Sequence, residues 1–190
     1  MKISTDRQYF HKLYAVADDP WSFASSAYER RKYALTVDTL PRVRYLSAFE
    51  PGCSIGVLTE LLAPRCDSLL ATDIVPSALD QATKRLEDYK NVLVEYRAIP
   101  ESWPDETFDL IVLSEVAYYF DTSSLRDVLE HVERSTSQGA HVIAVHWRGE
   151  TDYPLTGDDA HALIDEIRSL RNVVHHVEDA FVLDLWERVT

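Results

Sequence analysis

The apolar positions of the chain change period as it is read from one end to the other. Near residues 5–17 and 26–40 they recur at three- and four-residue spacings. The second of these stretches opens on Ser25-Ser26 and closes before Pro41, residue types that cap a helix start and end a helix. Beyond them the pattern shortens to runs rich in β-branched and aromatic residues: YLSAFE, SLLATDI, NVLVEYRA, FDLIVLS, AHVIAVHW, NVVHHV and FVLDLWERV. These predict seven strands. Helices are expected between them at 56–64, 76–89, 122–135 and 158–169, with Pro76 in a first turn and Gly139 as a stop. Strands alternating with helices require crossover connections. The sheet should therefore be mostly parallel and covered by helices on both faces. The last two runs have no helix-length spacer, which predicts an antiparallel end. Residues 1–190 are expected to form a single domain, and ligands of such sheets bind outside the carboxyl ends of the strands.

Charge narrows the function classes. With 19 Lys and Arg against 32 Asp and Glu, the chain carries −13, a surface that repels phosphate backbones and anionic membranes and favours cationic or neutral ligands. Near the N-terminus the only apolar run is Leu13–Ala17, too short for a secretory segment, and no later run approaches transmembrane length. A cytoplasmic protein without a nucleic-acid or membrane partner is expected, with a monomer as the default. Cys53 and Cys66 have neither metal-ligand spacing nor a disulfide framework and read as small buried apolar residues.

The candidate chemistry starts at FEPGCSIGVLTELLA, residues 49–63. Gly52-Cys53-Ser54-Ile55-Gly56 spells G-x-S-x-G, the elbow that presents a hydrolase serine. Such an elbow needs a histidine, an acid and an oxyanion hole fed by an earlier loop, and the residues before it read as helix with no loop of that kind. The alternative is a glycine loop that lets a cofactor approach the backbone. Asp73 ends the next strand, 21 residues after Gly52, the spacing at which an acid accepts hydrogen bonds from both ribose hydroxyls. Ser54 and Val57 stand where the dinucleotide fingerprint has glycines, which points to a cofactor without phosphates.

At these residues the chain resembles the class I S-adenosylmethionine-dependent methyltransferases. FEPGCSIG resembles their E/D-x-G-x-G-x-G motif with serine at the middle glycine, LLATDIVPSAL their acidic second motif, and FDLIVLSEVAYYF their fourth-strand motif. Within that class DDPWSFASSAYERRKY, YPLTGDDAHAL and FVLDLWER are similar to the nodulation protein S family of N-methyltransferases. The resemblance implies a Rossmann-like fold with an antiparallel last strand and residues 1–41 as an N-terminal helical lid. It implies S-adenosylmethionine as cofactor, with S-adenosylhomocysteine as product and no metal. Glu50 would sit near the methionine amino group, Gly52, Cys53, Ser54 and Gly56 under the methionyl and ribose parts, and Asp73 at the ribose. Ile74, Ala98 and Ile99 would hold adenine, and Ser114 with Glu115 would line the methionine end. Arg97 departs from the pattern, since many relatives carry an acid there to meet the adenine amino group.

Methyl transfer is an in-line displacement in which the protein mainly positions an uncharged nucleophile, and an amine acceptor must first lose a proton. Glu115, Asp121 and His146 are the candidate bases. Sugars stack on aromatic rings, which nominates Trp21, Tyr118, Tyr119, Trp147 and Tyr153 for the acceptor. Tyr28, Arg31, Lys32 and Leu35 fall at helical spacings, so Tyr28 and Arg31 are candidates for the cofactor, Arg31 for its carboxylate. The resemblance implies the substrate: a small amino-sugar oligomer, methylated on the free terminal amine of a deacetylated chitooligosaccharide in nodulation-factor synthesis. Another small acceptor, a serine hydrolase using Ser54 and a non-catalytic cofactor-binding module remain as alternatives.

Overall fold

The computed structural model describes residues 3–190. Two helices lead, α1 (Arg7–Val16) and α2 (Ala27–Thr39). Each is capped by the side chain just before it: Asp6 accepts from the Gln8 N–H at 2.7 Å, and Ser26 from the Glu29 N–H. The strands are β1 (Tyr45–Pro51), β2 (Cys66–Asp73), β3 (Val92–Tyr96), β4 (Phe108–Ser114), β5 (Thr136–Trp147), β6 (Leu170–Val177) and β7 (Phe181–Arg188). Between them run α3 (Val57–Leu62), α4 (Pro76–Arg85), α5 (Thr122–Ser135) and α6 (Gly157–Asp165). They make a seven-stranded, mostly parallel sheet with antiparallel last strands, as the alternation of patterns predicts.

The chain divides into two compact units, Asp6–Ala98 and Ile99–Thr190, the latter with residues 3–5. The first contains β3-β2-β1 in parallel register, with Pro51 opposite Thr72 and Asp73 opposite Tyr96. The second contains β4-β5-β7-β6, in which β5 and β7 run antiparallel with Trp147 opposite Phe181. Leu110–Leu113 of β4 and Phe181–Trp186 of β7 are buried throughout, the continuous apolar reading of strands covered on both faces.

Three boundaries differ from expectation. Gly139 is not a helix stop: α5 ends when Thr136 turns extended (φ −98°, ψ 131°) and returns its hydroxyl to the Val132 carbonyl at 2.9 Å. Gly139, at φ 75°, lies inside β5, where the five-residue step from Thr136 to His141 matches the two-residue step from Phe108 to Leu110. It serves a bulge, a second use of positive φ. Helices α4 and α6 also stop earlier than their apolar pattern, at Arg85 and Asp165. Among the described residues no helix is long and apolar enough to cross a membrane.

Candidate active site

In the N-terminal unit β1 runs straight into the glycine loop. The N–H groups of Gly52 and Cys53 both bond the Thr72 carbonyl, at 2.7 and 2.9 Å, pinning the loop to the end of β2. Its backbone turns left-handed three times, at Gly52 (φ 77°), Ser54 (φ 53°) and Gly56 (φ 77°). Glycine adopts that conformation freely, whereas a serine must be held in it. Ser54 is held from both sides: its N–H donates to Asp73 Oδ2 at 2.9 Å, and its Oγ is hydrogen-bonded to the Tyr14 hydroxyl. Asp73 Oδ1 takes the N–H groups of Ile74 and Val75, at 2.7 and 2.9 Å. One carboxylate thus organises the loops after two adjacent strands. Burial pushes its pKa up, and those N–H groups offset the rise in part.

Glu50, at the end of β1, is 2% exposed, and its Oε2 has no hydrogen-bond partner. Burial pushes its pKa up to about 8, opposed by the Thr59 hydroxyl and reinforced by the charge of Asp73. An orphaned buried carboxylate oxygen is costly, and what it fits is a cation or a strong donor. Glu50, Asp73 and a backbone that a ligand can approach closely suit a molecule with an ammonium, ribose hydroxyls and no phosphate, which describes S-adenosylmethionine. The hydrolase elbow fails on the same geometry. Ser54 meets a phenol whose pKa burial raises, rather than a histidine, and the neighbouring Cys53 thiol is buried and pushed well above its usual value.

In the C-terminal unit the residues after β4 are Ser114, buried, and Glu115, a second non-glycine residue held left-handed (φ 52°). The Glu115 N–H bonds the Val145 carbonyl at 2.9 Å; its Oε2 accepts the Trp147 N–H at 3.0 Å and the Tyr118 hydroxyl. A backbone outlier secured by three such contacts marks a place where a side chain is being aimed. Tyr118 is 5% exposed. Tyr153 stacks on it with centroids 5.1 Å apart, and Tyr119 and His146 meet it edge-on at 4.7 and 5.1 Å. The expectation that Tyr118 stacks on a sugar is therefore corrected, because its ring is already enclosed. Tyr119 and Tyr153, 4.6 Å apart, are only half-buried. The Trp147 indole is 40% exposed, and a Cβ added to Gly149 would lie 2.1 Å from it, so the Gly149 backbone backs the ring.

Two expected bases are also corrected. Asp121 caps α5, accepting the N–H groups of Ser123 and Ser124 at 3.0 Å each and of Ser4 at 3.1 Å, and the Ser4 hydroxyl at 2.8 Å. The Ser124 N–H and then the Ser4 hydroxyl lower its pKa to about 2, which makes it a poor proton acceptor. His146 is fully buried with both ring nitrogens engaged, Nε2 by the Ala117 N–H at 3.0 Å and Nδ1 by His161 Nε2 at 2.9 Å. It has no nitrogen to offer an amine. Glu115 is the expected base that neither caps a helix nor closes a buried chain.

The helical face assigned to the cofactor splits. Lys32 is 1% exposed, paired with Glu29 at 2.9 Å, its ammonium 5.0 Å from the Tyr28 ring centroid. Arg31, one residue or 100° away on the helix, is exposed. Trp21 packs against Phe23, stacked at 5.5 Å, and edge-on to Tyr14 at 5.8 Å. Ile74 flanks the same apolar cluster, Ala98 is buried, and Ile99 opens the C-terminal unit half-buried. Arg97 pairs with Glu95 at 2.8 Å, and its backbone N–H bonds the Asp73 carbonyl at 3.2 Å. Tyr14, His161 and Asp184 are given no role in the sequence reading, and Lys32 appears there only as a position on the face of Tyr28 and Arg31. Tyr14 was findable as the four-residue partner of Phe10; Asp184 was findable as the one acid in the apolar run FVLDLW.

The family model described as Nodulation protein S (NodS) matches residues 4–144, well over half of the chain. The chain belongs to the nodulation protein S family. Nodulation protein S of Rhizobium tropici is 33% identical over 129 residues, 67% of this chain and 54% of that protein. Its counterpart in Bradyrhizobium diazoefficiens is 38% identical over 114 residues, 60% of this chain and 52% of that one. The chain therefore spans about half the length of these curated relatives. A crystal structure from Pseudomonas syringae is 40% identical, covering 86% of this chain and all of that one with a TM-score of 0.77. The N-methyltransferase NodS of Bradyrhizobium japonicum WM9, solved with S-adenosylhomocysteine, superposes with a TM-score of 0.85 over 95% of this chain and 97% of that one; at 24% identity it speaks for the fold.

Proposed function

We propose that this member of the nodulation protein S family is an S-adenosylmethionine-dependent N-methyltransferase. Its acceptor is the free amine of the terminal glucosamine in a deacetylated chitooligosaccharide. The observation that carries the reading is the pair of carboxylates at the ends of β1 and β2, Glu50 with a buried, unpartnered oxygen and Asp73 bonded to the left-handed loop. Family membership and the printed activity of the Bradyrhizobium japonicum protein support it.

When bound, S-adenosylmethionine supplies a methyl group on a sulfonium, a leaving group good enough that positioning governs the rate. Glu50 would receive its ammonium at Oε2, Asp73 would accept from ribose hydroxyls, and Gly52–Gly56 would pass beneath. Ile74, Ala98 and Ile99 would flank adenine, with Ser114, Tyr28 and Arg31 as further contacts. On the acceptor side, the Glu115 carboxylate would take the amine proton, and the backed indole of Trp147 would stack on a sugar ring beside Tyr119 and Tyr153. The acidic surface suits an acceptor that arrives as ammonium. On this reading the protein works in the cytoplasm on a small molecule, with no nucleic-acid or membrane partner.

The test incubates enzyme and S-adenosylmethionine with acetylated and deacetylated chitooligosaccharides in parallel and reads added methyl groups by mass. Only the deacetylated oligomer should gain one methyl, because an amide lone pair is delocalised and an amine pair is not. Trp147→Ala should raise the acceptor KM roughly tenfold and leave S-adenosylhomocysteine affinity unchanged. Methylation of both oligomers, or of neither while a phenol or carboxylate is turned over, would overturn the amino-sugar acceptor.

A further inference from the structure

Behind the tyrosines of the C-terminal unit lies a buried chain of polar groups that the proposed reaction does not consume. His146 is fully buried, His161 is 4% exposed and Asp184 is 1% exposed. Starting from the Ala117 N–H, which points at His146 Nε2 from 3.0 Å, the chain passes from His146 Nδ1 to His161 Nε2 (2.9 Å) and from His161 Nδ1 to Asp184 Oδ2 (2.5 Å). The other oxygen of Asp184 meets His175 Nδ1 at 2.6 Å and Asn172 Nδ2 at 3.3 Å.

The Ala117 N–H at one end of this chain and the Asp184 carboxylate at the other demand the same direction of every proton in it. A backbone N–H can only donate, so His146 Nε2 must be the bare nitrogen and Nδ1 must carry the hydrogen. His161 Nε2 then accepts it, which leaves the hydrogen of His161 on Nδ1, facing a carboxylate that can only accept. Both rings are neutral and both are Nδ1–H tautomers. Protonating His146, or moving its hydrogen to Nε2, would set two donors against each other at a buried site. Burial pushes the Asp184 carboxyl up, and the hydrogen bond and electrostatic attraction of His161, followed by the hydrogen bonds from His175 and Asn172, outweigh it, so Asp184 lies below the ordinary carboxylate range and stays an acceptor.

We infer that Asp184 is a positioning residue for the acceptor side of the site: acting through His161, it fixes the tautomer of His146 that holds the Ala117 N–H and with it the turn Ala117–Tyr119. That turn carries Tyr118, whose hydroxyl bonds Glu115 and whose ring edge meets His146 at 5.1 Å. Asp184 touches neither Glu115 nor Tyr118. It sets which nitrogen of a distant ring is bare, and the bare nitrogen sets where the turn sits. The functional half of this statement rests on the methyltransferase reading; the tautomers and the hold on Ala117 do not.

Nitrogen-15 spectra of the imidazole rings and amide exchange at Ala117 test the second half without any substrate. In the wild-type protein both His146 and His161 should appear as neutral Nδ1–H tautomers, and the Ala117 amide should be protected. Asp184→Leu, close in size but without any acceptor for the His161 Nδ1–H, should disturb the tautomers, speed Ala117 exchange and lower kcat/KM for the deacetylated chitooligosaccharide by about tenfold or more, with S-adenosylhomocysteine affinity within about twofold. His161→Gln changes the shape more but keeps the polarity, an oxygen to accept from His146 and an NH2 to donate to Asp184, and should stay within about threefold of wild type. A purely packing role would reverse that order. Should Asp184→Leu not fold, His161→Leu set against His161→Gln makes the same contrast, with only the leucine variant losing acceptor kinetics. An Nε2–H or charged His146 in the wild type overturns the inference, as does a tautomer change that leaves Ala117 exchange and acceptor kinetics unmoved. If the wild type methylates no amino sugar, the acceptor assignment falls, and the spectra and the Ala117 exchange alone decide for or against the relay.

Discussion

The loop of the N-terminal unit and the histidine chain of the C-terminal unit treat buried polarity in opposite ways. Around Glu50 a carboxylate oxygen is buried without a partner, its pKa is raised to about 8, and the adjoining loop turns left-handed at three alternate residues, Gly52, Ser54 and Gly56. Around Asp184 every buried group named above has a complementary neighbour and the carboxylate is depressed. The first arrangement costs stability and is useful only if a ligand completes it. The second completes itself, holds backbone in place and needs nothing from outside. Binding residues and positioning residues can thus be told apart by where their hydrogen bonds end.

The largest expected break of this contrast is Gly52→Val. A β-branched residue at φ 77° is strained, and its side chain would stand where the loop must be approached. In protein shown to be folded by circular dichroism, calorimetry should find S-adenosylhomocysteine affinity reduced roughly a hundredfold or more, to the point of no measurable binding.

Glu50→Gln should separate stability from function. The pKa of Glu50 is raised on folding, so the folded protein binds the extra proton. Below the unfolded value near 4.5 the group is neutral in both states and neutral to stability; as pH rises from there to about 8, stability is lost, and the loss persists above. Glutamine removes that dependence. The variant should match wild type near pH 4 and exceed it by ~1–3 kcal/mol at pH 8 in ligand-free denaturant titrations, while binding S-adenosylhomocysteine more weakly. Equal pH profiles would remove Glu50 from the group of strained carboxylates.

Ser54→Ala should be the mildest change. It deletes the hydroxyl that meets Tyr14 and leaves the N–H on Asp73, so about 1 kcal/mol of stability is at stake and methyl transfer should continue. Labelling of Ser54 by an organophosphate, together with ester hydrolysis lost in the alanine variant, would restore the hydrolase reading.

What could be read from sequence follows the same division. The glycine loop, Glu50 and Asp73 are legible because their geometry is local: a strand end, a tight turn and the next strand end, each within one periodic pattern. The strands and their order of appearance were legible for the same reason. The histidine chain links residues 15 and 23 positions apart, and nothing in the neighbourhood of His146 says that Ala117 occupies its nitrogen. Tyr118, Asp121 and His146 were therefore assigned to chemistry on proximity to strand ends, and each proved committed to the fold. Arg31 and Lys32 show the limit within one helix, because neighbouring positions of like charge differ by 100° and only packing decides which is buried. Gly139 shows it for glycine, since positive φ serves a helix stop and a bulge equally well.

Gly149 has a further meaning for how this family can vary. Its backbone lies so close to the Trp147 indole that any side chain would displace the ring, so one face of the ring is permanently closed and the other alone is offered to solvent. On the proposed role of Trp147, substitutions of Gly149 in a saturation library should spare folding and cofactor affinity yet shift acceptor preference, acting through the displaced ring. Loop swaps that keep Trp147 but lose the glycine should carry the tryptophan across without the position that Gly149 gives its ring.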